Sequence, residues 1–238
     1  MKKSQFSERL YETLINHLFL SRGFDIYVPS QNKEAALGYD ALFQNGKRKI
    51  GMFQYKIIKE YERKPIYHNS ADHAYAFNLH GPKNKSYEQH NNLFKRMNRG
   101  IICGYVVPCF IEYKELFSYY HNTNSNNNNN CNNEALLDHS LLIKPTVKIT
   151  DNNYHYITFD NKIAYLHSKE KIQLEIQSLS EFIGSIKESK DYSKETFTNE
   201  FLEGFIDYNE FDENLKDNEK INKILYDNKI ILVAYKAD

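Results

Sequence analysis

Apolar residues return every third or fourth position near the start of the chain. Phe6, Leu10, Leu14 and Leu18 form one helical stripe, widened by Tyr11 and Ile15. This pattern predicts a helix over residues 7–20, with Ser7 as N-cap and Arg22-Gly23 as its end. Residues 24–28 read as a short strand that Pro29 closes, and the polar stretch 30–37 as a loop or helical turn. Two strands, about residues 39–44 and 50–58, flank the turn-forming Asn45-Gly46-Lys47 and predict a β-hairpin. Further along, residues 75–79 are expected as a strand and 86–98 as a helix with Leu93, Phe94 and Met97 facing inward. The apolar run at 101–107 is short, β-branched and stopped by Pro108, as for a buried central strand. Residues 112–120 predict a helix, 141–143, 156–159 and 163–166 strands, and 174–186 another helix. The remainder is acidic and helix-prone, with a last strand over 229–236.

A length of 238 residues fits one α/β core with appended elements better than two full domains. The organisation expected is a core over 1–120, a disordered Asn-rich loop over 121–134, and strands with a helical extension over 135–238 on the same domain. Thirty-one basic side chains balance thirty-one acidic ones, so any attraction for a polyanion has to come from local clustering. Three irregularly spaced cysteines supply neither a disulfide framework nor a zinc cluster. The first residues lack the apolar stretch of a secretory signal, and no apolar run reaches the length of a membrane span. The expectation is a soluble cytoplasmic protein with no membrane partner.

The hairpin carries the chemistry. Asp40 lies on its first strand and Gln54-Tyr55-Lys56 on its second. Residues two apart on a strand share a face, so Gln54 and Lys56 point together and the hairpin folds Asp40 back towards them. A carboxylate, an amide oxygen and an ammonium in one place can hold a divalent cation and orient a water for phosphodiester hydrolysis. No Gly-rich phosphate loop and no nucleophile elbow compete with this site. Cys103 falls in the expected central strand, where a thiol is ordinary packing.

In the order helix, strand, Asp-bearing strand, Gln-x-Lys strand, helix, strand, residues 6–110 resemble the PD-(D/E)XK nuclease superfamily, in the branch where Gln replaces the last acid. That resemblance implies a restriction-endonuclease-like core, a mixed central sheet flanked by helices; the second half of the chain is expected to add a C-terminal α+β extension. It also implies an endonuclease dependent on Mg²⁺ or Mn²⁺ that acts on DNA, less readily on RNA. By fold-level analogy its setting is bacterial defence or a mobile element. Asp40, the side-chain oxygen of Gln54, the carbonyl of Tyr55 and Glu12 would hold the cation, and Lys56 would steady the attacking water or the developing phosphorane charge. Glu8 and Glu34 compete with Glu12 for the first acid. His90 would contact a phosphate or protonate the leaving oxygen, and Gln89, Lys59, Arg63 and Lys64 would contact the nucleic acid. The chain departs from the family in holding Tyr39 where a Pro precedes the Asp.

The residues also admit plainer roles. Asp40 fits a turn acid, Lys56 the polar face of an edge strand, and His90 a surface or capping histidine. Tyr55, Tyr61, Tyr67 and Tyr75, with Lys56, Lys59, Arg63 and Lys64, read either as a stacking surface or as a by-product of a Tyr-, Asn- and Lys-rich composition. The rival function is a catalytically inactive protein on the same core that binds nucleic acid or a partner protein. Homodimerisation is open under both readings.

Overall fold

The computed structural model describes residues 2–28, 40–45, 48–61, 74–79, 87–98, 102–121, 134–151 and 154–188. In chain order the first half holds β1 (Lys2–Lys3), α1 (Glu8–Leu20), β2 (Asp25–Tyr27), β3 (Ala41–Asn45), β4 (Arg48–Tyr55), β5 (Lys59–Tyr61), β6 (Ala74–Leu79), α2 (Tyr87–Met97), β7 (Ile102–Pro108) and α3 (Tyr113–His121). The second half holds α4 (Glu134–Asp138), β8 (Ser140–Ile143), β9 (His155–Phe159), β10 (Ala164–His167), β11 (Lys171–Leu174), β12 (Ile176–Ser178) and α5 (Leu179–Glu188).

The strands form two six-stranded sheets. The first is mixed, in the order β12-β8-β7-β4-β3-β2, with β4 and β7 as its one parallel pair. The second is antiparallel throughout, in the order β1-β5-β6-β9-β10-β11. Alternation along the strands separates two cores. Leu42, Met52, Cys103, Tyr105, Leu141 and Ile143 point from the mixed sheet to Phe77, Ile157, Phe159 and Leu166 of the antiparallel one. The intervening residues Ala41, Phe53, Tyr55, Val106 and Leu142 point the other way, onto Tyr11, Ile15, Leu18, Leu116, Leu137 and Phe182 of the helices. The mixed sheet is therefore buried on both faces, which explains why β7 reads as one continuous apolar run. Rings bridge both layers: Phe77 and Tyr105 lie 5.2 Å apart between the sheets, and Phe53 and Phe182 5.3 Å apart under α5.

The mixed sheet carries α1, α3, α4 and α5 on one face, and α2 with the second sheet on the other. Two sequence expectations need correction. Residues 174–186 are not one helix: they begin in the last residue of β11, pass through β12 and enter α5 at Leu179. A capping box was the legible boundary, since Ser178 Oγ accepts from the Glu181 N–H at 3.1 Å and Glu181 Oε2 from the Ser178 N–H at 3.0 Å. The Asn-rich stretch is narrower than 121–134, because His121 ends α3 and Glu134 opens α4, with 122–133 outside the described residues. The two halves of the chain share both sheets, because β8 and β12 join the sheet of β7 and β9–β11 join the sheet of β6. The strand expected at 229–236 and the acidic stretch from 189 onward lie outside the described residues.

Helix α1 starts and stops as its sequence foretells. Ser7 Oγ accepts the Leu10 N–H at 3.2 Å, and Gly23 turns the chain with a φ of 80°, a left-handed conformation that favours glycine.

One glycine marks a close approach between strands. A Cβ on Gly104 would lie 2.5 Å from Leu142 Cδ1 and 2.8 Å from the backbone oxygen of Ile143. The backbone oxygen cannot swing aside, so Gly104→Ala is expected to cost about 1–3 kcal/mol in denaturant unfolding. Gly184→Ala, on α5 with nothing within 4 Å, is the control and should stabilise by roughly 0.5–1 kcal/mol.

Candidate functional site

Strands β3 and β4 pair antiparallel with Ala41 opposite Phe53 and Leu42 opposite Met52. One further step places Asp40 opposite Gln54, and the Asp40 N–H donates to the Phe53 oxygen at 2.8 Å. The Tyr55 N–H then faces the place where β3 has given out. Asp40 Oδ2 accepts that N–H at 2.6 Å, so the carboxylate does the work of a ladder carbonyl and is fixed against the end of β4. In an extended strand the N–H and C=O of one residue leave on the same side, so the Tyr55 carbonyl also faces the Asp40 side. Beyond the strand, the Lys56 N–H donates to the Val106 oxygen at 3.1 Å, which carries the pairing with β7 one residue further. Gln54 is buried and Lys56 half-buried. By alternation both take the Met52 face, the one turned to the antiparallel sheet and α2.

The acids of α1 approach the same strand end from the helix side. Glu8 Oε2 accepts the Ile57 N–H at 3.0 Å, one residue past Lys56. Glu12, a turn later and half-buried, sits close enough to Tyr55 to act on its phenol. Burial pushes that phenol well above its ordinary range, and the charges of Glu12 and Asp40 push it further. The Tyr55 hydroxyl donates to Asn16 Oδ1 at 2.6 Å, and its ring meets Tyr11 edge-on at 6.1 Å. Tyr55 thus ties α1 to β4 while keeping its hydroxyl neutral. Of the three candidate acids, Glu8 and Glu12 are at this end of β4, and Glu34 lies outside the described residues. Asn16 gave no signal in the sequence beyond its position one turn after Glu12.

Helix α2 closes the site from the sheet-facing side. The Gln54 amide nitrogen donates to Gln89 Oε1 at 2.8 Å, which leaves the Gln54 side-chain oxygen as the atom this residue can offer a cation. The next residue does not fit the catalytic role the sequence allowed it. His90 is fully buried, with Nε2 2.7 Å from the Val147 oxygen and Nδ1 2.9 Å from the Tyr105 hydroxyl. The carbonyl requires a proton on Nε2, so Nδ1 is the acceptor and the ring is neutral. Burial lowers its pKa to about 4, against a smaller opposing effect of the Val147 bond and a further lowering by His155. Asn91 continues the clamp by pairing twice with the Ile149 backbone, at 2.8 and 2.9 Å. His90 and Asn91 therefore fasten α2 to residues 147–149 and thereby fix where Gln89 meets Gln54.

Other expectations fall away or stand apart. Tyr55 and Tyr75 are buried, so the stacking surface proposed around them is not one. Tyr67, Arg63 and Lys64 lie outside the described residues, and Lys59 is half-buried at the start of β5. His155 points into the inter-sheet core, 3.4 Å from the Asp151 carboxylate and away from β4. Cys103 is fully buried in the inter-sheet core as a packing thiol, and that burial raises its pKa to about 12. Two pockets, of about 380 and 320 Å³, open beside α5 and beside residues 147–151, and neither is lined by Asp40, Gln54 or Lys56.

Near the end of β4 stand the Asp40 carboxylate, the Tyr55 carbonyl and, on the face turned to α2, the Gln54 amide oxygen, with the Glu12 carboxylate on the α1 side by the Tyr55 ring. Such a set fits a hard dication and no soft one. Among the described residues no three His, Cys, Asp or Glu side chains form a metal group, so a cation here would depend on the neutral oxygens of Gln54 and Tyr55. No family model, no curated protein and no solved structure significantly matches this chain.

The buried neutral His90 makes stability depend on pH in a defined direction. Its folded pKa lies below the unfolded value of about 6.5, so the unfolded chain binds the extra proton first. The stabilisation is complete above pH ~6.5 and is lost as pH falls towards ~4, at a maximum near 3 kcal/mol. His90→Gln keeps an N–H for Val147 and is expected to flatten the pH dependence of urea unfolding across that window.

Proposed function

We propose that the protein is a metal-dependent nuclease on a restriction-endonuclease-like core, acting on DNA in preference to RNA. The observation that carries the reading is positional. Helix α1 is followed by the antiparallel run β2-β3-β4, and after α2 the strand β7 returns parallel to β4. The start of β3 and the ends of β4 and β7 lie at one end of the sheet, and Asp40, Gln54 and Lys56 all stand there. This is the order and placement on which the PD-(D/E)XK resemblance rests. The antiparallel second sheet is an addition to that core.

In this reading Asp40, Gln54 and the Tyr55 carbonyl hold Mg²⁺ or Mn²⁺, with Glu12 completing the set directly or through water. When bound, the cation polarises the phosphodiester and lowers the pKa of a water. Asp40 can serve both the Tyr55 N–H and a cation, because a carboxylate offers about four lone-pair sites. Lys56, one residue beyond the strand, provides a positive charge for the attacking water or the phosphorane oxygens. Glu8 holds the backbone just past Lys56 and is a positioning residue. Gln89 orients the Gln54 amide so that its oxygen faces away from α2. The neutral Gln54 removes one negative charge from the ligand set, which weakens cation binding and sets a high metal requirement.

The test is a cleavage assay on single- and double-stranded DNA and RNA with Mg²⁺ and with Mn²⁺. Wild type is expected to cut, and Asp40→Asn and Lys56→Ala to lose about 100-fold or more in rate. Equal rates in all three would assign the cleavage elsewhere. Absence of cutting on every substrate with both metals would leave the same core as a binding protein and end the nuclease reading. A second measurement addresses the amide directly. Gln54→Glu restores the missing charge, and Gln89 can turn its amide to donate to it, so half-maximal activity should come at a lower Mg²⁺ concentration than in wild type.

A further inference from the structure

At one end of the mixed sheet β8 begins and β12 ends. Ser178 pairs there with Leu141, α4 hands over to β8 at Asp138 and His139, and β12 passes straight into α5. A cavity of about 380 Å³ opens at this end. Its floor is Leu141 and Ile176, with Gln177 beside them. One wall comes from the helical layer and carries Asp138, His139 and Glu181. The other comes from the β9–β10 turn of the antiparallel sheet, on the opposite face of the mixed sheet, and carries Asn161 and Lys162. The volume falls in the range of about 300–1,000 Å³ typical of small-molecule sites.

Both walls are held by the protein's own hydrogen bonds. Asp160 Oδ1 accepts the N–H groups of Lys162 at 2.7 Å and Ile163 at 2.9 Å, which fixes the turn that carries Lys162. His139 Nδ1 lies 2.9 Å from the Ala135 oxygen, and its ring stacks on Tyr119 with centroids 4.1 Å apart and planes 13° from parallel. A carbonyl can only accept, so Nδ1 carries the proton and the neutral ring presents the lone pair of Nε2. Glu181 Oε2 accepts the Ser178 N–H, and Oε1 remains as a further acceptor. Among the described residues, the side chains of Asp138, Asn161, Lys162 and Gln177 have no partner. The acids of the helical wall and the lysine of the turn thus line one cavity without closing on each other as an ion pair.

This division of charge selects the ligand. An anion would meet Asp138 and Glu181, a simple amine would meet Lys162, and an apolar molecule would cover charges and leave them unpaired. A small zwitterion meets both walls with the right sign. A primary ammonium has three donors and no acceptor, and the helical wall offers it three acceptors, Asp138, His139 Nε2 and Glu181 Oε1. A carboxylate only accepts, and the turn offers it the Lys162 ammonium and the Asn161 amide. We infer that the cavity between α4, β12 and the β9–β10 turn is a binding site for a free α-amino acid. Its ammonium lies on the helical wall, its carboxylate on Lys162, and its aliphatic side chain on Leu141 and Ile176. The cavity is not lined by Asp40, Gln54 or Lys56 and needs neither a metal nor a nucleic acid, so the inference stands or falls apart from the nuclease reading.

The experiment is isothermal titration calorimetry of the full chain with L-leucine, whose side chain suits the apolar floor, at pH ~7.5 so that an ordinary imidazole is neutral. Binding is expected with a Kd on the order of 1 mM, the strength of a few exposed charge-assisted contacts. Isopentylamine and isocaproate, which are leucine without its carboxylate and without its ammonium, should each bind at least about 10-fold more weakly. Asp138→Asn and Lys162→Gln should each weaken leucine binding by about 5–10-fold. Both side chains are exposed, so unchanged thermal unfolding of the ligand-free variants separates loss of binding from loss of fold. A protein that takes up no leucine at about 20 mM, or whose two variants bind it as tightly as the parent, overturns the inference. So does isopentylamine binding as tightly as leucine, which would make the cavity a site for a cation alone.

Discussion

Where β3 gives out, the Tyr55 N–H would face an unfilled ladder position inside the protein, and the Asp40 carboxylate supplies the acceptor at 2.6 Å. A buried N–H without a partner costs about 1–3 kcal/mol, so the fold itself demands an acceptor here. Meeting that demand with a charged side chain in place of a backbone oxygen brings a carboxylate to the end of β4. It also holds the carboxylate there without any ligand. The site is thus a by-product of how the hairpin ends. Gln54, across from Asp40, and Lys56, one step beyond, inherit their placement from the same register.

The other half of the site is set by α2, which the sheet does not hold through its own hydrogen bonds. His90 and Asn91 pin the helix to the backbone of residues 147–149, and Leu93 enters the inter-sheet core. A shift of one residue along α2 would move Gln89 off Gln54 and release the amide. The polar clamp and the apolar anchor therefore act on one degree of freedom, the axial position of the helix. Such fully satisfied buried polar groups specify a single arrangement more than they add stability.

Much of this could be read from the chain and some could not. The first helix, the hairpin and the buried strand β7 are strong local signals: a 3.6-residue stripe with a capping serine, an Asn-Gly turn, and an apolar run too short for a helix. Period two also placed Gln54 and Lys56 on one face. The short strands β1, β5 and β12 were invisible, because two or three residues hold no period and their pairing is decided by distant partners. Strands β6, β9 and β10 of the second sheet were expected, but that they form a sheet of their own rests on pairing between distant segments, which no local period shows. His90 was misread because nothing in sequence distinguishes a helix-borne histidine at a surface from one whose two nitrogens meet a carbonyl and a tyrosine 57 and 15 residues away.

The interleaving of strands carries a consequence for how the chain is made. The C-terminal end of β7, Tyr105 to Pro108, takes its second partner from β8, and β6 pairs with β9 from Tyr75 to Leu79. A polypeptide emerging only as far as α3 thus presents two naked, apolar strand borders, the kind of template on which neighbouring chains aggregate. Synthesis must pass the Asn-rich stretch before either border is sealed. Any premature stop in that tract would yield a product that is sticky as well as incomplete, and a chaperone that shields nascent β-structure would have its work concentrated in that interval.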